Sequence, residues 1–184
     1  MKSIIASIRI VIETLLICVG IYTSVILAFA NLVSPYTADG SLIRNGRGQT
    51  MGSRLIAQQF TQPGYFWSRP SAVGYNAAGA GGSNKSPTSP DLTERASKLV
   101  TRYSATRENP LPAELAATSG SGLDPHITAY AARYQAKRVA VARGLDPAKV
   151  EALITDHTFA PGGILMADQL VNVLELNLAL DALH

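Results

Sequence analysis

The sequence predicts a single N-terminal transmembrane helix followed by one soluble α/β (α+β) domain with about four helices and a few short strands. Three observations support this fold class. Residues 14–33 carry no charged side chain. Helix start and stop signals recur from residue 89 to the end of the chain, and short apolar stretches lie between glycines before that point. A chain of 184 residues has room for one domain and an appendage.

The apolar run near the N-terminus is long enough to cross a membrane. A helix over residues 14–33 would be about 30 Å long, which matches the hydrocarbon core of a bilayer. The apolar residues 10–12 extend this stretch past Glu13. We therefore place the transmembrane helix at residues 10–33, after a short N-terminal segment of residues 1–9.

A cleaved signal peptide is the alternative for this segment. Lys2 and Arg9 form a basic start, and Ala28-Phe29-Ala30 fits the small-x-small rule for cleavage. However, the apolar run exceeds the 7–15 residues typical of a signal peptide, and Glu13 lies where such a run should begin. The uncleaved anchor is the favoured interpretation. Basic residues occur on both sides of the run, so their distribution leaves its orientation open.

Between the anchor and residue 90 the sequence predicts short strands, turns and a long loop. Ser34-Pro35 ends the apolar helix, since proline cannot continue it. Leu42-Ile43 and Leu55-Ile56 are predicted as short strands or turns. Residues 62–90 are rich in glycine, proline and serine, yet linkers seldom carry so many aromatic residues. We expect an ordered loop held by its aromatic side chains, which are Tyr65, Phe66, Trp67 and Tyr75.

Four helices are predicted in the C-terminal half from their start signals. Each signal is a polar residue suited to capping, followed by proline or by a capping-box partner. The four starts are Ser89-Pro90, Asp124-Pro125, Asp146-Pro147 and Asn172 with Glu175. Gly144 supplies a stop for the second helix.

A serine, an aspartate and a histidine lie close together at Ser121, Asp124 and His126, which raises the alternative of a membrane-anchored or exported hydrolase. The stretch "GLDP" recurs at residues 144–147, where Ala148 replaces the histidine. Aspartate and proline before an amphipathic run are typical of a helix start. Gly-Ser-Gly is also not the G-x-S-x-G elbow. The favoured interpretation is therefore a structured turn with a helix cap, and no catalytic residue is predicted.

Other candidate sites are weak. "GAGGSN" at residues 79–84 resembles a phosphate-binding turn, but Lys85-Ser86 follows too early for a P-loop, so a tight or flexible loop is expected. Gln135 is interpreted as a solvated or partner-facing amide in a helix. The single cysteine, Cys18, excludes a disulfide within the chain. The histidines, His126, His157 and His184, lack the spacing of a metal site, so no metal is expected.

The net charge of +3 arises from scattered basic residues. A nucleic-acid groove requires a basic stripe, so no nucleic-acid partner is expected.

Several stretches together resemble the family of C subunits of the Kdp potassium-transporting P-type ATPase. They occur in family order and are "GSRLIAQQF", "GYFWSRPSA", "YN", "GGSN", "SGSGLDPHIT", "QAKRVAVARGL" and "VNVLELNLALD". The resemblance covers nearly the whole chain, including the apolar span. The sequence departs from the family pattern at Ala57, at Ala80 and at Ala136-Lys137, and none of these departures removes a motif.

The resemblance implies a non-catalytic subunit of a high-affinity potassium uptake complex in the cell inner membrane. Residues 1–9 would be cytoplasmic, and residues 34–184 would form the extracytoplasmic soluble domain. The implied partners are membrane lipid, a potassium-channel-like subunit, a P-type ATPase subunit and a small one-helix subunit. The C subunit is credited with assembling or stabilising these subunits.

The family is also credited with raising the ATP affinity of the complex. The residues implied in ATP binding by this resemblance alone are Gly81, Gly82, Ser83 and Gln135. An extracytoplasmic domain, however, lies across the membrane from cytoplasmic ATP. We therefore expect no tightly bound cofactor, with ATP as a possible ligand, and favour a structural role at the extracellular mouth of the potassium path.

Overall fold

The computed structural model of the protein describes residues 2–163 and 168–183, so His184, one of the three histidines for which no metal site is expected, lies outside the described residues. The chain divides into two compact units, residues 1–51 and residues 52–184. The first unit contains the long N-terminal helix. The second contains a three-stranded sheet and the amphipathic helices.

A helix over residues 2–33 dominates the first unit. It consists of α1 (Lys2–Leu15), a π-helical turn (Leu16–Ile21) and α2 (Tyr22–Val33). The helix is long and apolar enough to cross a membrane. None of the side chains of residues 2–33 is buried within the protein. Exposed isoleucine, leucine and valine over this length require an apolar surrounding, which a bilayer provides.

The chain leaves this helix at Ser34, as predicted from the following proline. A short helix, α3 (Pro35–Ala38), follows. Strand β1 (Leu42–Arg44) then pairs with β2 (Thr50–Ser53) in a two-stranded sheet. The strand predicted at Leu42-Ile43 is thereby confirmed.

The other position predicted as a short strand or turn, Leu55-Ile56, forms a turn. The amide of Leu55 donates to Ser53 Oγ at 3.1 Å, and the amide of Ile56 donates to the Ser53 carbonyl at 3.3 Å. These local bonds to a serine take the place of strand pairing.

The second unit is built from helices and short strands in mixed order. In chain order the elements are α4 (Pro90–Arg102), α5 (Ala113–Ala116), β3 (His126–Thr128), α6 (Ala129–Arg143), α7 (Pro147–Asp156), β4 (Thr158–Phe159), β5 (Leu170–Asn172) and α8 (Val173–Asp181). Strand β5 lies between β3 and β4, antiparallel to both. Val171 at its centre is opposite Ile127 and Thr158. The predicted α+β class is confirmed.

The core of the second unit lies between the sheet and helices α6, α7 and α8. Helix α7 packs against both α6 and α8. Complete burial of each large apolar side chain contributes about 1.5–3 kcal/mol. Those that are almost fully buried are Phe66, Leu115, Ile127, Val139, Val150, Ile154, Val171, Val173, Leu176 and Leu180.

Three of the four predicted helix starts are confirmed. Helix α4 begins at Pro90, although the Ser89 side chain makes no capping hydrogen bond. Asp146 accepts from the amide of Ala148 at 2.9 Å and opens α7. Asn172 accepts from two amides of α8. Glu175, predicted as the second half of a capping box, forms an ion pair with Arg54 at 2.9 Å.

The second predicted start, at Asp124-Pro125, is wrong. His126, which we expected in the first helical turn, lies in strand β3, and the helix begins only at Ala129. Asp124 does accept from the amide two residues later, but the next residues pair with β5. Thr128 is the actual cap and accepts from the amide of Ala131. Ile127 and Thr128 are β-branched, which favours pairing over helix.

Candidate functional site

The long loop of residues 62–90 is held by its aromatic side chains, as predicted. Its aromatic segment, residues 65–67, lies against α6 and α8. Phe66 and Trp67 are buried, and Tyr65 and Tyr75 are half-buried. The Tyr75 hydroxyl donates to the Arg69 carbonyl at 2.9 Å. Burial raises the pKa of Tyr75 above its usual value, with the charge of Arg102 acting in the opposite direction.

Two buried carboxamides fix the backbone of this segment. Asn177 Oδ1 accepts from the Phe66 amide at 2.8 Å, and its Nδ2 donates to the Phe66 carbonyl at 3.0 Å. Gln135 makes the same pair of bonds with Trp67, at 2.8 and 3.1 Å. Each carboxamide thus satisfies both backbone groups of one residue, as a neighbouring strand would. The aromatic segment is bonded to α6 through Gln135 and to α8 through Asn177.

The interpretation of Gln135 as a solvated or partner-facing amide is therefore wrong. Its exposed fraction is 1%, and Gln135 Oε1 also accepts from Arg138 Nη2 at 2.7 Å. We did not single out Asn177, which is equally buried. The sequence feature that could have identified Asn177 is its position within the leucine-rich stretch "VLELNLALD", where a buried side-chain amide without hydrogen bonds would be costly.

The other residues implied in ATP binding, Gly81, Gly82 and Ser83, have different contacts from Gln135. The amide of Gly81 donates to the Ser121 carbonyl at 2.7 Å, and the Thr118 hydroxyl donates to Ser83 Oγ at 3.3 Å. A Cβ atom on Gly82 would be 3.1 Å from the Gly120 carbonyl oxygen. Within the described part of the chain, no hydrogen bond or ion pair joins Gln135 to residues 81–83. These four residues do not form one site through direct contacts.

The segment opposite these glycines is packed so closely that one position requires glycine. Gly122 has a φ of +68°, and a Cβ atom there would lie 2.7 Å from Val73 Cγ2 and 2.9 Å from the Gly81 carbonyl oxygen. Ser71 donates to the Gly122 carbonyl at 2.6 Å and accepts from two amides of its own turn. The glycine-rich segment is therefore a tightly turned structure.

The hydrolase candidates are only partly assembled. His126 Nδ1 lies 3.5 Å from Asp124 Oδ1, and Asp124 Oδ2 pairs with Arg69 at 3.3 Å. Ser121 Oγ accepts from the amide of Leu123, and no hydrogen bond joins Ser121 to His126 in residues 2–163 and 168–183. A triad requires the base to reach the nucleophile, and here only the base and its carboxylate meet.

Asp124 nevertheless interacts electrostatically with both His126 and Arg69. Burial acts to raise its pKa, but hydrogen bonds from His126 and the charge of Arg69 outweigh this effect. The net result is a pKa below the usual value. The carboxylate thus joins the long loop, through Arg69, to the segment that leads into β3.

A cluster of aromatic and cationic side chains surrounds Trp67. The guanidinium carbons of Arg102 and Arg138 lie 3.9 and 3.7 Å from the Trp67 ring centroid, and the Tyr103 ring meets Trp67 edge-on at 5.1 Å. Burial lowers the pKa of Arg138 to about 10 and raises that of Tyr103 to about 12. Beside the cluster lies an open cavity of about 520 Å³, lined by Arg102, Tyr103, Tyr134, Lys137 and Arg138.

Comparison with known proteins gives matches over almost the whole chain. The family model described as "KdpC: K+-transporting ATPase, c chain" matches residues 4–182. A "Potassium-transporting ATPase KdpC subunit" from Parvibaculum lavamentivorans is 62% identical over 98% of this chain and 97% of its own. The protein of the same description from Synechocystis sp. is 45% identical over 88% of each chain. That from Geobacter sulfurreducens is 42% identical over 100% of this chain and 99% of its own.

Proposed function

The chain belongs to the KdpC family of K+-transporting ATPase c chains, and from this membership we propose a non-catalytic subunit that assembles and stabilises an ATP-driven potassium uptake complex. The observation that carries the proposal is the match over residues 4–182, which includes all but the first two residues of the long apolar helix. The proposed partners are a channel-like subunit, a P-type ATPase subunit and a small one-helix subunit.

The assembly role is tested by purifying the complex from membranes in a mild detergent. A tagged full-length chain should bring the other subunits with it, and removal of the chain should leave them separating during purification. The proposal is abandoned if the tagged chain elutes alone although its partners are produced in the same cells.

We propose that residues 1–9 are cytoplasmic, residues 10–33 span the inner membrane and residues 34–184 are extracytoplasmic. The exposed apolar helix supports the span, because none of the side chains of residues 2–33 is buried. Protease added to intact spheroplasts should digest the second unit and leave the N-terminus protected. Protection of the second unit in intact spheroplasts, with digestion only after lysis, would reverse the proposed orientation.

The contribution to ATP affinity is a separate proposal, carried by the family resemblance. Burial gives Gln135 a structural task, so a loss of ATP affinity after its substitution would not distinguish the two roles. Ser83 is better suited, since among the described residues its side chain makes one weak hydrogen bond, with Thr118 at 3.3 Å. If residues 81–83 bind ATP, Ser83→Ala should raise the KM for ATP in the purified complex without lowering its Tm. An unchanged KM removes Ser83 from any nucleotide site.

The non-catalytic assignment is tested at the partly assembled histidine and aspartate pair. Because Ser121 does not reach His126, we expect no ester hydrolysis from the purified chain. A hydrolytic rate that both Ser121→Ala and His126→Ala abolish would restore the hydrolase alternative.

A further inference from the structure

Four of the eight arginines of the second unit pair with a nearby carboxylate. Nitrogen-to-oxygen distances of 2.6–3.5 Å join such pairs, which are Arg54 with Glu175, Arg69 with Asp124, Arg133 with Glu151 and Arg143 with Asp181. Several other basic residues have no carboxylate partner in residues 2–163 and 168–183, and among them Arg102, Lys137 and Arg138 lie close together. All three line the 520 Å³ cavity beside Trp67.

The cavity therefore holds positive charge that the described protein does not offset. Both guanidinium groups lie within 4 Å of the Trp67 ring centroid, and the charge of Arg102 contributes to lowering the pKa of Arg138. Arg138 Nε is buried without a hydrogen-bond partner. A negative group in the cavity would offset the repulsion between the cations in a partly desolvated place, where charge interactions are strong.

The cavity continues into a stripe along α6, in which Tyr134 is half-buried and the other three residues are exposed. Tyr130, Tyr134, Lys137 and Val141 are spaced by four, three and four residues, which places them on one face of the helix. Tyr130 is 63% exposed and Val141 is 75% exposed, whereas the opposite face of α6 forms part of the core. The stripe extends over about 16 Å of helix. Exposed apolar side chains at this spacing are typical of a helix surface that receives a partner.

We infer that the cavity and the α6 stripe together form a docking surface for an acidic protein segment of another subunit. Carboxylates of this segment would lie among Arg102, Lys137 and Arg138, and its apolar side chains would pack on Tyr130, Tyr134 and Val141. The inference rests on the proposed function, which supplies the partner subunits. A small anion would occupy the cavity alone, whereas the stripe extends along the helix. Tryptophan, tyrosine and arginine are also the residues most enriched at interface hot spots.

Photo-crosslinking in the intact complex tests the surface directly. A photoreactive amino acid replaces Val141, whose side chain is exposed, and in a control it replaces Lys149, an exposed residue of α7 that does not line the cavity. We expect an adduct at position 141 with another subunit, mapped by mass spectrometry to an acidic segment, and none at position 149. An adduct with a second copy of this chain, with lipid only, or with nothing overturns the inference.

Charge reversal tests the electrostatic part. Lys137 makes no hydrogen bond or ion pair within the described ranges, so Lys137→Glu should fold normally, and Lys149→Glu is its control with the same charge change. Like charges brought together across an interface cost several kcal/mol, so we expect Lys137→Glu to reduce co-purification of the other subunits about tenfold or more. Lys149→Glu should leave it unchanged.

The outcomes separate this inference from the proposed function. If the wild-type chain does not co-purify with other subunits, the proposed function fails. If wild-type and Lys137→Glu chains co-purify equally well at low salt, where charge interactions are little screened, the docking surface alone is wrong. If Lys137→Glu abolishes binding of inorganic phosphate while co-purification is intact, the cavity is a small-anion site and the docking surface is again overturned.

Discussion

The two copies of Gly-Leu-Asp-Pro, at residues 122–125 and 144–147, have the same local structure and different continuations. Both glycines adopt a left-handed conformation, with φ of +68° and +64°. Both aspartates accept a hydrogen bond from the amide two residues later, at 3.0 and 2.9 Å. The first copy nevertheless leads into strand β3, and the second opens helix α7.

The difference arises from what surrounds each copy. The residues after the first copy pair with β5, with Ile127 opposite Val171. The residues after the second copy are Ala148 and Lys149, which favour helix. The four residues therefore specify a turn in which the aspartate accepts a backbone hydrogen bond. Whether a strand or a helix follows depends on the helix or strand propensity of the next residues and on a pairing partner far along the chain.

The largest expected contrast concerns the two glycines. Alanine at either position adopts an unfavourable left-handed conformation, at a cost of about 1–2 kcal/mol. Gly122→Ala also forces contacts with Val73 and with the Gly81 carbonyl, which adds about 1–3 kcal/mol, whereas a Cβ at Gly144 meets no atom within 4 Å. Urea unfolding of both variants measures the difference. Equal losses of stability would mean that the close packing around Gly122 is not maintained in solution.

A smaller contrast is expected between the two aspartates. Asp146→Ala removes a helix cap and should cost about 1 kcal/mol. Asp124→Ala removes the corresponding turn contact and also the ion pair with Arg69, which is only partly exposed, so its cost should be greater by up to about 1 kcal/mol. A double-mutant cycle with alanine at Arg69 and Asp124 measures the coupling energy of this ion pair. A coupling energy of zero would show that the ion pair contributes nothing.

The smallest effect is the pH dependence of the first copy. Because the pKa of Asp124 is lowered in the folded protein, the folded state holds the ionised form more strongly than the unfolded chain does. This stabilisation is fully present above the ordinary aspartate pKa of 3.8 and is lost as the pH falls through the folded pKa. The free energy of unfolding, measured from pH 6 downwards, should therefore decrease by less than about 1 kcal/mol. Asp124→Asn should not show it.

Elements specified by local signals could be predicted from the sequence. The apolar helix, its end at Ser34 and the starts at Pro90, Pro147 and Asn172 depend on composition and on neighbouring residues, and these were correct. Strand β3 was missed, because long-range pairing overrides local preference.

The candidate site was harder to predict for the same reason. Gln135 and Asn177 bond to residues more than 60 positions away, and no periodic pattern indicates which peptide a buried amide will satisfy. The cluster around Trp67 likewise combines Arg102 and Arg138 from two helices. Single residues could be recognised as unusual, but their partners could not be identified from spacing.

The π-helical turn at Leu16–Ile21 divides the N-terminal helix into two segments with different azimuths. Its bonds reach back five residues, as in the Tyr22 amide to the Ile17 carbonyl and the Thr23 hydroxyl to the Cys18 carbonyl. Since such a turn accommodates one surplus residue, side chains of α2 are rotated by about 100° from the positions that an uninterrupted α-helix would give them. A neighbouring helix in a bilayer would therefore contact one face along α1 and a differently directed face along α2. To pack against both, it would need a similar change in the direction of its own side chains at the same depth.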